Sequence, residues 1–347
     1  MSNANKILQA ASGVSTGGKT VAVCVGGNDL TTIDITDETN MSQLGTLANS
    51  AFQIGQFAGG DADRDLVFYG GLIADNVAVG DYSNTASPSL SDNFTDAAIS
   101  NRVTCCAADT TRELLFITVG TADKLICIDY SDPTSLSIND TLTSATQLDN
   151  PQAVTLDTTN EIAYVACKSD DSITSVDYST PTSLSILDEH VDTNFDSANS
   201  VKFDATNNRV YGVAETDNSI VAFNVSNASS ISTLGSVLDA TNLNGAFDID
   251  IDTTNNVAIV YCSTGRVTSV DISNPASMSV SDSITDATKF DADGQVQLDI
   301  SRQIAFVKCG GSADALTAVD YSDPANLSIV GSITDTSSLG GRGLFLK

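Results

Sequence analysis

Alternating acidic residues at Asp61, Asp63 and Asp65 form the segment of the sequence that comes closest to a calcium-binding loop. Calcium requires about six to eight oxygen ligands, and a complete loop also contains a glycine and a later glutamate, which this segment lacks. The segment aligns with other Asp- and Asn-rich stretches, such as residues 157–160. Because Asp and Asn start turns by hydrogen bonding to their own backbone, we interpret residues 61–65, and the similar residues 291–294, as turns. We predict no metal site.

The single histidine and the seven cysteines offer little further chemistry. His190 lies in a short acidic stretch, and no nucleophile elbow accompanies it. The sequence contains no Cys-x-x-Cys pair of the kind that binds zinc. Four cysteines occupy nearly equivalent positions in different repeats, too far apart for disulfides: Cys24, Cys167, Cys262 and Cys309. We therefore predict buried free thiols, no catalytic residue and no cofactor.

The charge balance excludes several classes of partner. The chain has 44 acidic and 15 basic residues, a formal net charge of −29, which opposes binding to nucleic acid or to an anionic membrane. No apolar run approaches the roughly 20 residues of a membrane-spanning helix. The N-terminus also lacks the apolar centre of a signal peptide. With 41% hydrophobic residues, the chain can still bury a large core.

A repeated segment is the strongest structural signal. It reads apolar-Asp-(Tyr/Ile)-Ser-(Asp/Asn/Thr)-Pro and is followed by a short apolar strand, as in the copy that starts at Val319. Its anchor residue recurs at spacings of 47, 48, 48, 47, 47 and 49: Asp34, Asp81, Asp129, Asp177, Asn224, Asp271 and Asp320. A period of about 40–50 residues with many short strands is typical of a β-propeller. We predict that the anchors hydrogen bond within or between blades, since Asn224 keeps that capacity without the charge.

Each repeat contains four short strands separated by tight turns, the pattern of one antiparallel blade. In residues 199–238, we expect the strands at 200–203, 210–214, 219–225 and 231–237. The first unit starts with a second strand at 19–23 and the chain ends with a first strand at 341–347, so the C-terminal strand is predicted to close the ring. The predicted fold is an all-β, seven-bladed propeller over residues 19–347. Residues 1–18 form an N-terminal arm, although residues 6–11 could serve as a first strand instead.

The repeated segment and the strand after it resemble the LVIVD family of β-propeller repeats over roughly residues 19–347. The resemblance implies a propeller fold and a binding role, because members of that family are mostly surface or secreted binding proteins. Residues 3–13, Asn-Ala-Asn-Lys-Ile-Leu-Gln-Ala-Ala-Ser-Gly, are similar to the start of structural proteins from marine tailed bacteriophages. This second resemblance implies assembly into a virion.

We therefore expect a non-enzymatic structural or binding protein, a component of a phage virion that assembles in the host cytoplasm. Ile7 and Leu8 of the arm are expected to contact another virion or surface protein. One alternative is a surface adhesin or ligand-binding propeller, on the cell surface or outside the cell, that recognises a glycan or a protein. Another alternative is a calcium-dependent hydrolase that acts at the mouth of the central channel.

The hydrolase alternative requires several carboxylates that converge on the axis of the ring. The residues that start the first strands are mostly amides instead: Asn101, Asn150, Asn199 and Asn244. Arg102 and Arg342 also precede first strands and could hold an anion near the channel. A salt bridge at the surface or between blades is the other interpretation of these two arginines.

Overall fold

The innermost strands of seven four-stranded antiparallel sheets stand side by side and enclose a central channel. The computed structural model describes residues 20–52, 58–71, 75–100, 102–291, 294–310, 313–335, 339 and 342–347. The predicted all-β, seven-bladed propeller is confirmed. The predicted arm, with Ile7 and Leu8, lies outside the described residues. No helix among the described residues is both long and apolar enough to span a membrane.

Seven blades follow one another along the chain. Blade 1 begins with β1 (Val21–Gly26), β2 (Asp29–Asp34) and β3 (Ser42–Ala48). Blades 2 to 4 comprise β4 (Ala58–Asp61), β5 (Leu66–Gly70), β6 (Asn76–Asp81), β7 (Ser89–Thr95); β8 (Val103–Asp109), β9 (Leu114–Val119), β10 (Lys124–Asp129), β11 (Ser137–Thr143); and β12 (Pro151–Asp157), β13 (Ile162–Cys167), β14 (Ser172–Asp177), β15 (Ser185–Val191). Blades 5 to 7 comprise β16 (Ala198–Asp204), β17 (Arg209–Ala214), β18 (Ser219–Asn224), β19 (Ser232–Leu238); β20 (Ala246–Asp252), β21 (Val257–Cys262), β22 (Arg266–Asp271), β23 (Ser279–Thr285); and β24 (Gly294–Asp299), β25 (Ile304–Cys309), β26 (Ala315–Asp320), β27 (Ser328–Thr334). The last strand, β28 (Gly343–Leu346), returns to complete blade 1, and short 3-10 helices span Ala97–Ile99, Gly120–Ala122 and Pro275–Ser277.

The ring closes as predicted, by pairing the two ends of the described chain. β28 lies antiparallel to β1, with Leu346 opposite Ala22 and Leu344 opposite Cys24. The backbones of Val21 and Lys347 exchange hydrogen bonds of 3.0 and 2.8 Å. This pairing gives β1 a neighbour on each side, so blade 1 has four strands like every other blade.

Burial within each blade follows the position of the strand. The second strand is buried along its whole length, as in β13, because neighbouring blades cover both of its faces. The outermost strand is half-buried or exposed along its length, as in β15. The core therefore lies between the blades, where apolar side chains from adjacent sheets pack face to face.

All seven anchor side chains make the same local hydrogen bond. Each accepts the backbone N–H two residues later, at 2.7 to 3.1 Å, in the turn between the third and fourth strands. Asn224 bonds Ser226 in the same way that Asp177 bonds Ser179. The shared contact is an Asx turn, which an Asn or Asp oxygen forms equally well.

A second set of acids, at the ends of the inner strands, links neighbouring blades. Asp61 in β4 accepts the N–H groups of Asp63 and Arg64 on one carboxylate oxygen and the hydroxyl of Tyr130 from blade 3 on the other. Its carboxyl is buried, and this burial raises its pKa. Tyr178 donates to Asp109 at 3.3 Å in the same arrangement. Residues 61–65 are therefore a turn that holds the next blade.

The arginine of this turn strengthens the link between blades. Arg64 donates to Glu113 at 2.9 Å and to the Tyr130 carbonyl oxygen at 3.3 Å, and its guanidinium lies 5.6 Å from the centre of the Tyr130 ring. Arg112 repeats the contact with Tyr178 one blade further on. Such a cation over an aromatic ring adds a modest attraction to the ion pair.

The link joins blades 2 and 3, 3 and 4, and 6 and 7, because the next blade at the other joints after an aspartate has Val225, Ile272 or Ile35 in place of tyrosine. Between blades 1 and 2 the tyrosine is present as Tyr82, but Lys347 takes the place of the aspartate. Tyr82 in blade 2 consequently has a buried hydroxyl without a hydrogen-bond partner in the described part of the chain. The ammonium of Lys347 lies 5.7 Å from the centre of the Tyr82 ring and pairs with Asp65.

Two tyrosine variants should separate the hydrogen bond from the packing of the ring. Tyr130→Phe removes the donor to a buried carboxylate, and we expect it to lower the free energy of unfolding by about 1 kcal/mol. Tyr82→Phe removes a hydroxyl that has no partner in the described part of the chain, and we expect the free energy of unfolding to rise or to change by no more than about 0.5 kcal/mol. Guanidinium unfolding of both variants measures the difference. Equal losses would show that the Tyr130–Asp61 bond does not stabilise the ring.

Candidate functional site in the central channel

A cavity of ≈ 220 Å³ lies inside the channel and is lined by the inner strands. Its polar wall comes from blades 4 to 7: Thr155, Ser200, Lys202, Asp248, Gln295 and Gln297. Its apolar wall comes from blades 1 to 4: Gly59, Gly60, Ala107, Ala153 and Phe345. The cavity thus has one face that can hydrogen bond and one that cannot.

Equivalent positions of the repeat form the polar wall. Thr155, Lys202, Asp250 and Gln297 follow one another at spacings of 47, 48 and 47 residues. Because side chains two residues apart in a strand share a face, the residues two positions earlier also point towards the channel. Those residues include Ser200, Asp248 and Gln295 in blades 5, 6 and 7.

Most polar side chains of this wall bond the inner strand of the next blade. Asp248 accepts the N–H of Val296 and Asp250 that of Leu298, both at 2.9 Å. An inner strand pairs with only one neighbour in its sheet, so the N–H groups on its other edge need acceptors from elsewhere. Side chains of the preceding blade supply them.

Gln295 and Gln297 continue the pattern between blade 7 and blade 1. They accept the N–H groups of Leu344 and Leu346 at 2.9 and 3.0 Å. Their amide groups also donate, from Gln295 to Ala58 at 3.4 Å and from Gln297 to Leu344 at 2.8 Å. Both glutamine side chains are thus occupied by the wall itself.

Lys202 is the exception in the polar wall, because an ammonium group cannot accept a hydrogen bond. The N–H of Ile251, which faces this position, bonds the carboxylate of Asp250 in its own strand at 3.0 Å. The Lys202 ammonium lies 3.6 Å from the same Asp250 oxygen. Burial acts to lower the pKa of Lys202, but the carboxylates of Asp250 and Asp248 outweigh it and raise the pKa. The lysine therefore stays charged inside the channel.

Asp248 is the carboxyl group that directly lines the cavity. It is 2% exposed and accepts the Ser200 hydroxyl at 2.7 Å on one oxygen and the Val296 N–H on the other. Burial raises its pKa to about 6, while Lys202 and the two hydrogen bonds partly offset that rise. A carboxylate with a pKa near neutrality can take a proton from water and return it. Lys202 can stabilise a negative charge that develops nearby.

The other candidate residues from the sequence do not meet at this cavity. The anchors lie on the outer hairpins, and His190 is on outer strand β15, where it bonds the Thr233 hydroxyl at 2.9 Å. Arg102 and Arg342 are not among the residues that line the cavity. All seven thiols are free and buried, and burial raises the pKa of Cys105, which does line the cavity, to about 11. Within the described residues, no group of three or more potential metal ligands occurs.

Sequence reasoning missed Lys202, Asp248 and Asp250 because it examined the residues that start the first strands. The acids lie in the middle of β20 instead, where they alternate with Ile249 and Ile251. That alternation in a strand buried on both faces was the available signal, since it places both acids on one face. Alignment of the repeats would also have placed Lys202 at the same position as Asp250.

Comparison with known proteins finds the LVIVD repeat in two segments of the chain and the same fold in several solved structures. The LVIVD repeat family model matches residues 10–48 and 263–286, which confirms the resemblance found in the sequence. Both matches include the hairpin of the third and fourth strands, β2–β3 and β22–β23, with its anchor aspartate. No curated protein sequence matches the chain significantly.

Several solved structures share this fold. A provisionally named 6-phosphogluconolactonase from Bacteroides fragilis has a TM-score of 0.77 and 11% identity, over 96% of this chain and 99% of that one. The periplasmic gluconolactonase of Pseudomonas aeruginosa has a TM-score of 0.72 and 9% identity, over 94% and 98%. A protein from Lactobacillus plantarum has a TM-score of 0.76 and 12% identity, over 95% and 99%.

The expectation of a protein without enzymatic activity is wrong. It rested on the absence of recognisable catalytic residues, whereas propellers that match nearly the whole chain carry the names of lactone hydrolases. At 9 to 12% identity, the likeness shows the fold alone. The physical reason for the error is that the ring brings a lysine of one repeat next to two aspartates of the following repeat, which no linear motif reveals.

Asp248 should make the stability of the protein depend on pH. Its folded-state pKa of about 6 lies above the ordinary value of 3.8 for an aspartate, so the folded protein binds more protons between these two values and loses stability as the pH rises from about 4 to about 6. We expect Asp248→Asn to be more stable than the wild type by about 2–3 kcal/mol at pH 8, with no difference near pH 4. Unfolding midpoints at both pH values test this.

Asp129→Asn is the matched control for this experiment. Asp129 forms an Asx turn on an outer hairpin, and Asn224 makes the same bond in another blade. We expect its effect to be within about 0.5 kcal/mol at both pH values. A stability gain of Asp248→Asn that did not change with pH would contradict the assignment.

Proposed function

We propose that the protein is a hydrolase that opens a small lactone in its central channel. The observation that carries this proposal is the convergence of Lys202 and Asp248, with Asp250 behind them, on one buried cavity. The names of structurally similar propellers, among them a periplasmic gluconolactonase, support lactones as the substrate class. A cavity of ≈ 220 Å³ is below the ~300 Å³ from which small-molecule pockets usually start, so it suits a small ring.

Asp248 would act as the general base. Each of its oxygens accepts one hydrogen bond, from Ser200 or Val296, and keeps a second lone pair for water. Asp248 removes a proton as the water oxygen bonds to the carbonyl carbon of the lactone. The ring C–O bond then breaks, and Asp248 returns the proton to the ring oxygen, which leaves an open-chain hydroxy acid.

Lys202 would stabilise the negative charge on the carbonyl oxygen during this reaction. Its ammonium carries three N–H donors, and Asp250 lies 3.6 Å away, so the group is held in place while it can still face the cavity. The site is enclosed by inner strands, and a charge is worth more there than in bulk water. The polar wall thus supplies both a base and an electrophilic group.

The energetic cost of these residues also favours a functional role. An asparagine at position 248 would accept the Val296 N–H and fill the same space without a buried charge. Thr155, at the equivalent position of the preceding blade, accepts the N–H of Phe203. A threonine at position 202 could accept the N–H of Ile251 in the same way, which Lys202 cannot do. Groups that break a local rule at a cost in stability are typical of functional sites.

The hydrolysis of D-glucono-1,5-lactone in a pH-stat tests the proposal, with the spontaneous rate subtracted. We expect Asp248→Asn to lower kcat by about 10²- to 10³-fold, as removal of a general base does. Lys202→Met should lower kcat by at least ~10-fold. For the wild type, kcat/KM should fall as the pH drops below about 6, because the Asp248 carboxylate becomes protonated.

Asp129→Asn is again the matched control, since Asp129 lies on an outer hairpin away from the channel. It should retain the wild-type rate and pH profile. Circular dichroism and the unfolding midpoint establish that each variant is folded. A wild-type protein that did not exceed the spontaneous rate, or an Asp248→Asn variant with unchanged kcat, would eliminate the lactonase proposal.

A second proposal concerns where the propeller resides. We propose that residues 1–18 attach it to another virion or surface protein through Ile7 and Leu8, in a particle assembled in the host cytoplasm. The similarity of residues 3–13 to phage structural proteins supports this. The strands of the ring lie within residues 21–346, so the ring is complete without this segment. Attachment and channel chemistry are compatible, because they involve different residues.

Removal of residues 1–18 tests the attachment. The shortened chain should keep its melting temperature within about 2 °C, because blade 1 retains all four strands. It should no longer appear in purified virus particles when particle proteins are measured by mass spectrometry. Ile7→Asp with Leu8→Asp should act like the truncation, whereas Gln9→Ala should not. If the full-length chain is absent from the particles, the proposal fails.

A further inference from the structure

The charge of the channel indicates which lactones could enter it. Three charged groups lie at or beside the cavity: the Lys202 ammonium and the Asp248 carboxylate line it, and the Asp250 carboxylate lies 3.6 Å from Lys202. With both carboxylates ionised, their sum is one negative charge. From these contacts we infer, on the basis of the proposed function, that the site takes an uncharged lactone and rejects a phosphorylated one.

The only lysine of the described cavity lining already interacts with two carboxylates. Lys202 lies 3.6 Å from Asp250 and also interacts with the charge of Asp248. A phosphate group could approach its ammonium only by displacing these carboxylates or by lying beside them. Either arrangement places like charges together in a buried channel, where screening by water and salt is weak.

Three further polar side chains of the described lining already donate within the wall. The Gln295 and Gln297 amides donate to Ala58 and Leu344 in the wall itself. The Ser200 hydroxyl donates to Asp248. Phosphate sites usually combine several cationic or backbone N–H donors, and the described part of this cavity presents a single, paired cation.

The apolar wall fits an uncharged ring. Phe345 presents its aromatic ring to the cavity, and Gly60 lies so close to it that a Cβ there would come within 2.6 Å of the ring. Gly59 and Ala107 have little or no side chain, so the rest of the apolar wall does not project into the cavity. A sugar lactone has a C–H face that can lie on this wall while its hydroxyls and carbonyl face the polar wall.

The net charge of the whole protein also disfavours a phosphorylated lactone. The formal net charge of the chain is −29, and a protein with such an excess of acids repels a dianion before it reaches the channel. This long-range contribution is screened by salt, whereas the contribution inside the channel is screened much less.

The test compares D-glucono-1,5-lactone with its 6-phosphate. We expect kcat/KM for the uncharged lactone to exceed that for the phosphate by at least ~100-fold at low ionic strength, with a smaller ratio at high salt. Asp250→Asn keeps an oxygen for the Leu298 N–H but removes one negative charge. It should narrow the ratio at least ~10-fold, whereas Asp129→Asn should leave it unchanged. An equal or higher kcat/KM for the phosphate would overturn the inference.

Binding of unreactive analogues separates this inference from the proposed function. D-gluconolactam is uncharged, and its ring amide is hydrolysed far more slowly than the ring ester of the lactone. Its 6-phosphate differs from it only by the anionic group. Calorimetry should show binding of the lactam and none of its phosphate, even if neither lactone is turned over. Absence of turnover alone would reject the lactonase proposal. Binding of the phosphate at least as tightly as the lactam, or of neither, would reject the inference.

Discussion

The free edge of the innermost strand is the constraint on which the ring depends. Each inner strand pairs with one neighbour in its own sheet, so the N–H groups on its other edge face the preceding blade and need acceptors. Blades 4, 6 and 7 supply these acceptors as side chains of their inner strands. Asp250 of blade 6, for example, accepts the N–H of Leu298 in blade 7. Hydrogen bonding between blades thus places polar side chains around a channel that would otherwise be apolar, and the same side chains create the cavity in which chemistry is possible.

A different contact between neighbouring blades lies at the C-terminal end of the inner strand. An aspartate that ends the inner strand caps its own turn and accepts a tyrosine hydroxyl from the next blade, as Asp61 does from Tyr130. Where blade 1 has Lys347 instead, the Tyr82 hydroxyl has no hydrogen-bond partner among the described residues. The chain ends meet inside blade 1, where they are joined by the strand pairing between β28 and β1. The tyrosine is also replaced, by Val225, Ile272 and Ile35, at three other joints, so a ring built from repeats uses different contacts at different joints.

The channel site arises from departures from the repeat. Thr155, Asp250 and Gln297 all accept a hydrogen bond from the next blade, whereas Lys202, at the same position, cannot. The carboxylates of Asp250 and Asp248 raise the pKa of Lys202 and keep it charged. The cavity is thus lined by a cation, Lys202, and a carboxylate that can act as a base, Asp248. Repeats keep a fold stable through identical contacts, and function enters where one repeat gives up such a contact.

The sequence by itself determined the number of blades, the order of their strands and the closure by the C-terminal strand. These follow from a period near 48 residues and from alternation within each strand, which are local properties of the chain. It also indicated the Asp-rich turns, because an Asx turn spans only two residues. Lys202, Asp248 and Asp250 belong to different blades or to the middle of a buried strand, and no linear spacing marks them as partners. Only the packing of one blade against the next decided that they face one another, because inner strands β16 and β20 stand side by side at the channel and bring residues about 48 positions apart to the same cavity.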